Sequence, residues 1–169
     1  MKKRVADMNS LKIIAAIAIV LLCAFVVVYY WQVVATIPPN GASLNREFEV
    51  TQISITQQNA TSDYYAYLAL NQSQQQLGYM NQTSLGNCNG HSPCIGMLFL
   101  FSGENTYCFW MKNTEIPLEQ IWFNTNTETH VYTGQPYSTA TACYPGFAVL
   151  ETSPGFAIAP NATLRVNVT

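Results

Sequence analysis

Nineteen residues without a charge, Ile13 to Trp31 (IIAAIAIVLLCAFVVVYYW), split the chain into two parts that meet different solvents. At about 1.5 Å per residue a helix of that length covers a hydrocarbon core of roughly 30 Å, and it satisfies its own backbone groups where no water is available. The reading is a transmembrane signal-anchor helix over residues 13–35. Lys2, Lys3, Arg4 and Lys12 precede the run against the single Asp7, an asymmetry that keeps residues 1–12 in the cytoplasm. The chain then reads as a single-pass protein of the cell membrane with its C-terminal domain extracytoplasmic. Tyr29, Tyr30 and Trp31 close the run with the aromatic pattern of a headgroup layer, which favours an anchor that stays. The alternative is cleavage after Ala35, with Val33 and Ala35 as the small residues before the cut. Secretory apolar segments are shorter, roughly 7–15 residues.

Residues 36–46, beginning TIPPNGAS in its Pro- and Gly-rich half, read as a linker, and 47–169 as one extracytoplasmic domain of ordinary size. Beyond the apolar run the basic residues are Arg46, Lys112 and Arg165, against Glu47, Glu49, Asp63, Glu104, Glu115, Glu119, Glu128 and Glu151. That balance argues against a nucleic-acid partner. Charged residues are only 9% of the chain, but the many Tyr, Phe, Ile and Leu oppose a disordered reading.

Cys23 falls in the apolar run and reads as a packing residue, which leaves Cys88, Cys94, Cys108 and Cys143 as an even set in an oxidising compartment. Of three connectivities, Cys88 with Cys94 and Cys108 with Cys143 is preferred, because the first pair brackets the short turn-rich loop CNGHSPC. A metal site using His91 in that loop lacks a second ligand pair, so no metal and no cofactor is expected. Acceptors for N-glycosylation stand at Asn59, Asn71, Asn81, Asn161 and Asn167, and their use depends on the host.

The elements read mainly as strands. EFEVTQISIT alternates with an irregularity expected near Thr51 or Gln52; DYYAYLAL, GMLFLF, YCFWMK, QIWFN, THVYT, FAVLE and LRVNV follow, and NTNTE reads as a hairpin turn. NQSQQQLGYM suits a short helix starting near Asn71, a favoured N-cap residue. The expectation is a mainly β, compact, barrel-like domain with one or two short helices, preceded by the transmembrane helix.

YLALNQSQQQLGYMNQTSL, GMLFLF, FWMKNTEIPLEQIWF and GFAVLETSPGFA, in that order, resemble the motifs of domain-of-unknown-function family 192, also called uncharacterised protein family 0127. The resemblance runs from about Glu47 to Val168, and FWMKNT followed by IPL is its most specific part. It implies a small β-rich, barrel-like domain of bacteria and archaea, often behind a signal sequence or membrane anchor, and implies no activity. The chain departs from the pattern at Gln76, where the family usually has arginine, at Glu119 in place of Asp, at Pro160-Asn161 in place of a Gly-Asp turn, and in an insertion carrying Cys88 and Cys94. These departures alter the charge arrangement of any shared site.

Lys112 is the one lysine after the apolar run, amid aromatic residues. If CFWMKNT is a strand, Phe109, Met111 and Asn113 share one face and Trp110, Lys112 and Thr114 the other. Structural accounts make Lys112 a solvated edge charge or the partner of Glu119 or Glu151. The functional account makes Trp110, Lys112 and Asn113, with Glu119 and Glu151 nearby, a site for an anionic or polyhydroxylated ligand. His130, beside Val131 and Tyr132, reads as a half-buried strand residue, and no Gly-x-Ser-x-Gly, Walker or dinucleotide motif occurs.

The function expected is therefore a non-enzymatic binding or interaction module of the cell envelope, taking a glycan, peptide or protein ligand. An envelope hydrolase using two of Glu119, Glu128 and Glu151, and a purely structural envelope component, are the alternatives. A close carboxylate pair in a cleft would mark the hydrolase; a concave site with Trp110 and Lys112 and no such pair would mark the binder; no cleft at all would mark the structural component.

Overall fold

The computed structural model describes Ile13, residues 22–24 and residues 44–167. Most of the expected anchor, 13–35, and of the linker therefore lies outside the described residues, among which no helix is long and apolar enough to cross a membrane. The chain divides into two compact units, and the second, residues 39–169, holds every strand among the described residues.

The domain is mainly β, with few and short helices. Helix α1 (Leu44–Glu47) leads into β1 (Glu49–Gln57) and β2 (Ala60–Ala69); α2 (Gln72–Leu77) precedes β3 (Cys94–Phe109), and β4 (Leu118–Asn124), β5 (Thr127–Gly134), β6 (Ala142–Thr152) and β7 (Thr163–Asn167) complete it. The strands close a ring in the order β1-β2-β3-β6-β4-β5-β7. All pairs are antiparallel except β2 with β3, whose parallel register requires the crossover that contains α2. Two tight turns have the residues they need. Gln58 and Asn59 join β1 to β2, Thr125 and Asn126 join β4 to β5, and all four have positive φ, as hairpin turns matched to strand twist demand.

Both faces of the sheet are buried, and this accounts for the reading of β1. Ile53 and Ile55 point into the ring with Ala66, Leu98, Ile121, Phe123, Ala148, Leu150 and Leu164. Phe48 is buried in a second cluster, against which Val50 packs, with Tyr67, Tyr79, Met97, Phe99, Met111, Trp122 and Val149 on the other face. The expected irregularity at Thr51 or Gln52 is absent: β1 pairs with β2 in unbroken register from Glu49 to Gln57. A strand buried on both faces mimics a phase slip when only one core is assumed.

GMLFLF and the start of YCFWMK belong to one sixteen-residue strand, β3. Its pairing with β6 is interrupted between Leu100 and Asn105 and resumes to Phe109, where the strand ends. Both preferred disulfides form, Cys88–Cys94 and Cys108–Cys143. The second joins residues that are direct register partners on β3 and β6.

Candidate functional site

Strand register composes the site before any loop is considered. On the outer face Tyr67 lies beside Met97, Met97 beside Glu151 and Glu151 beside Gln120. The next row is Ala69, Phe99, Val149 and Trp122. A carboxyl group and its Gln120 neighbour thus stand in a largely apolar field spanning four strands.

Helix α2 turns part of this field into a cleft. Asn71 Oδ1 accepts from the Gln74 amide at 3.0 Å, while Gln74 Oε1 accepts from the Asn71 amide at 3.2 Å, a reciprocal cap that fixes where the helix begins. Gln74 Nε2 donates to the Glu47 carbonyl (2.9 Å) and Gln75 Nε2 to the Leu100 carbonyl (2.8 Å), which ties α2 to the end of α1 and to β3. The space left between α2 and the far half of β3 measures about 590 Å³. Phe99, Phe101, Tyr107, Phe109 and Trp110 form one wall; Gln72, Gln75, Gln76 and Leu77 form the other; Gly78, Tyr79 and Glu151 lie at its base. The aromatic wall is internally packed, with Phe101 stacked on Tyr107 at 3.5 Å and Phe109 edge-on to Phe99 at 4.9 Å.

Glu151 is 4% exposed. Gln120 Nε2 donates to its Oε1 at 2.9 Å. Burial pushes the carboxyl up to about 7, against a smaller downward pull from the Gln120 bond. Oε2 faces Gly78, where an added Cβ would lie 3.9 Å from it and 3.4 Å from Phe99 Cζ. The Tyr79 hydroxyl, also pushed up by burial and then by Glu151 and Tyr67, donates to the Leu85 carbonyl at 3.2 Å. No Lys, Arg or His is among the described residues that line the cleft.

The sequence-predicted residues separate here. Trp110, 45% exposed, and Glu151 both line the cleft. Lys112 and Asn113 do not, because the strand ends at Phe109 and residues 111–114 form a turn closed by the Thr114 amide on the Met111 carbonyl (3.1 Å). Met111 and Thr114 are buried while Trp110, Lys112 and Asn113 are exposed, so the alternation assumed for CFWMKNT stops two residues too early. Lys112 Nζ rests 5.1 Å from the centre of the Trp110 ring rather than on Glu119 or Glu151. Glu119 neighbours Gln120 in β4 and projects to the opposite face from it, with Oε2 buried and unpaired among the described residues. Glu128 Oε2 accepts from the Asn161 amide at 3.1 Å. His130 stacks on Tyr144 and His91 on Tyr65, and the described residues contain no group of three His, Cys, Asp or Glu able to hold a metal.

Gln72, Gln75, Tyr79, Phe101 and Tyr107 went unread as site residues. Gln76 carried a signal, since it is one of the departures from the family pattern and it lines the cleft.

The profile of the DUF192 family, described as uncharacterized ACR, matches residues 53–164. The chain belongs to this family. No curated protein sequence matches it. Two solved structures are similar. One, from Sinorhizobium meliloti 1021 and described as a candidate transcription regulator, is 23% identical with a TM-score of 0.62 over 70% of this chain and 95% of that one. The other, a protein of unknown function from Novosphingobium aromaticivorans DSM 12444, is 26% identical with a TM-score of 0.60 over 69% of this chain and 84% of that one. At these identities the likeness speaks to the fold.

Proposed function

We propose that this DUF192 chain is a membrane-anchored, non-enzymatic binding module of the cell envelope, with its domain outside the membrane and a glycan, peptide or protein segment held along the α2–β3 cleft. The observation that carries this reading is the cleft itself: about 590 Å³, walled by five aromatic side chains on β3 and the residues after it, and faced by glutamine side chains from α2. Apolar area with a few convergent polar groups is the usual make-up of a ligand site of this size. Glutamine amides both donate and accept, which suits hydroxyl or peptide groups.

Hydrolysis by paired carboxylates needs both groups on one cleft. Glu151 lines the cleft, whereas Glu119 projects from the other face of the neighbouring strand and Glu128 is engaged with Asn161. That favours binding over hydrolysis, and the presence of a formed concavity favours it over a purely structural role.

Thermal shift of the domain from residue 40 onward, against libraries of envelope glycans and peptides, tests the reading. A ligand that raises the melting temperature is expected to bind Trp110→Ala about tenfold more weakly, while the unliganded variant melts near the parent, because Trp110 is half-exposed. Absence of any stabilising ligand, or ligands indifferent to Trp110→Ala, would refute the cleft as the site.

A further inference from the structure

The geometry points to an organic ammonium group as the part of the ligand that this cleft recognises, seated against the Glu151 carboxylate and enclosed by the aromatic wall; the inference rests on the cleft being the binding site.

Charge supplies the first reason. Among the described residues that line the cleft, Glu151 has the only carboxyl and none has a cationic side chain to balance it. Among the described residues the titratable group that interacts with it is the Tyr79 hydroxyl, from the segment after α2, with Tyr67 of β2 beyond Met97 in the same row, while β3 and β4 present Met97, Phe99 and Gln120. An anion entering here would meet like charge without compensation. A cation would meet the one charge it can pair with in a desolvated place.

Access supplies the second. Gln120 occupies Oε1 and leaves Oε2 on the side of Gly78, which has no side chain to cover it. Gly78 also has φ +46°, a backbone conformation in which a residue with a Cβ would be strained. The third reason is the wall. Ring faces attract cations, and the protein already uses its own wall in this way at the rim, where the Lys112 ammonium sits 5.1 Å from the Trp110 centroid. Phe101, Tyr107 and Phe109 continue that surface inward.

Binding would carry a proton account. The Glu151 carboxyl titrates near 7, so a cation arriving below that pH displaces its proton to solvent. Affinity for a permanent cation should therefore fall about tenfold per pH unit below the midpoint and level off above it.

The test uses the full-length chain with choline and its neutral isostere 3,3-dimethylbutan-1-ol, titrated calorimetrically at about one pH unit above and one below the Glu151 midpoint of about 7. Saturable choline binding at the higher pH, at least about tenfold tighter than the isostere, is expected. The preference should shrink at the lower pH, vanish in Glu151→Gln and weaken in Phe101→Ala. Equal binding of the two probes, or a choline preference that survives Glu151→Gln, would overturn the ammonium assignment while leaving the cleft as a binding site. No choline binding up to about 100 mM would overturn it too. Melting and the Trp110→Ala comparison with library ligands would then show separately whether the cleft binds anything at all.

Discussion

Glu151 couples the site to stability at the scale of a single residue. Its carboxyl has an ordinary value of 4.5 and is raised by burial to about 7, so between those values the folded chain holds a proton that the unfolded chain has released. The contribution is fully present below about 4.5 and is lost as pH rises toward about 7, a change on the order of 3 kcal/mol. Denaturant unfolding followed from pH about 4.5 to 8 should show this downward trend, and Glu151→Gln, which keeps an acceptor for Gln120, should flatten it and be the more stable protein at the upper end. A parent whose stability rises through that window would contradict the assignment. Lys112 behaves oppositely. It is exposed and its ammonium rests over a rim aromatic, so Lys112→Met should change stability by no more than about 1 kcal/mol and leave binding in the cleft near that of the parent. Sequence reasoning reached Trp110 and Glu151 because aromatic and acidic residues in an apolar stretch are conspicuous. It joined them to Lys112 and Asn113 through a strand that in fact stops at Phe109.

Elements decide whether these residues meet. Gly96 sits in β3 where an added Cβ would run into the Glu151 carbonyl, and its φ of +152° suits glycine. Gly96→Ala should therefore push β3 from β6, costing about 3 kcal/mol or more in chemical unfolding. A well-folded Gly96→Ala of parental stability would mean that the two strands can part without loss. The Cys108–Cys143 link pins the same pair of strands at its far end, across a sequence separation of 35, and Cys108 lies between Tyr107 and Phe109 in the aromatic wall. Replacing both cysteines by serine should cost about 2–4 kcal/mol and weaken ligand binding at temperatures where the domain is still folded. Parental melting in non-reducing buffer would show that the link constrains little. The Cys88–Cys94 link, the Asn71 cap and the Asn126 hairpin were legible because each depends on neighbours in sequence or on turn chemistry, and pairing the first two cysteines left Cys108 for Cys143. The parallel β2–β3 pairing, and the placement of α2 against Leu100, depend on long-range packing, which local alternation does not encode.

At the scale of the whole molecule, seven strands with cores on both faces explain how so short a domain carries so little charge. One core fills the ring. The other, under α1 and the residues after α2, consumes the aromatic side chains that a one-sided sheet would have left exposed, and its incomplete cover leaves the cleft. The apolar run from Ile13 to Trp31 precedes the residues that build both cores, and the proposal that the domain lies outside the membrane rests on the charge that flanks this run. Protease added to intact cells or spheroplasts should digest the domain and spare a short N-terminal fragment that stays with the membrane after carbonate extraction. If the domain is protected until the membrane is permeabilised, the charge asymmetry has been read the wrong way round. If the domain is instead released intact into the medium, cleavage after Ala35 has occurred and the run served as a leader.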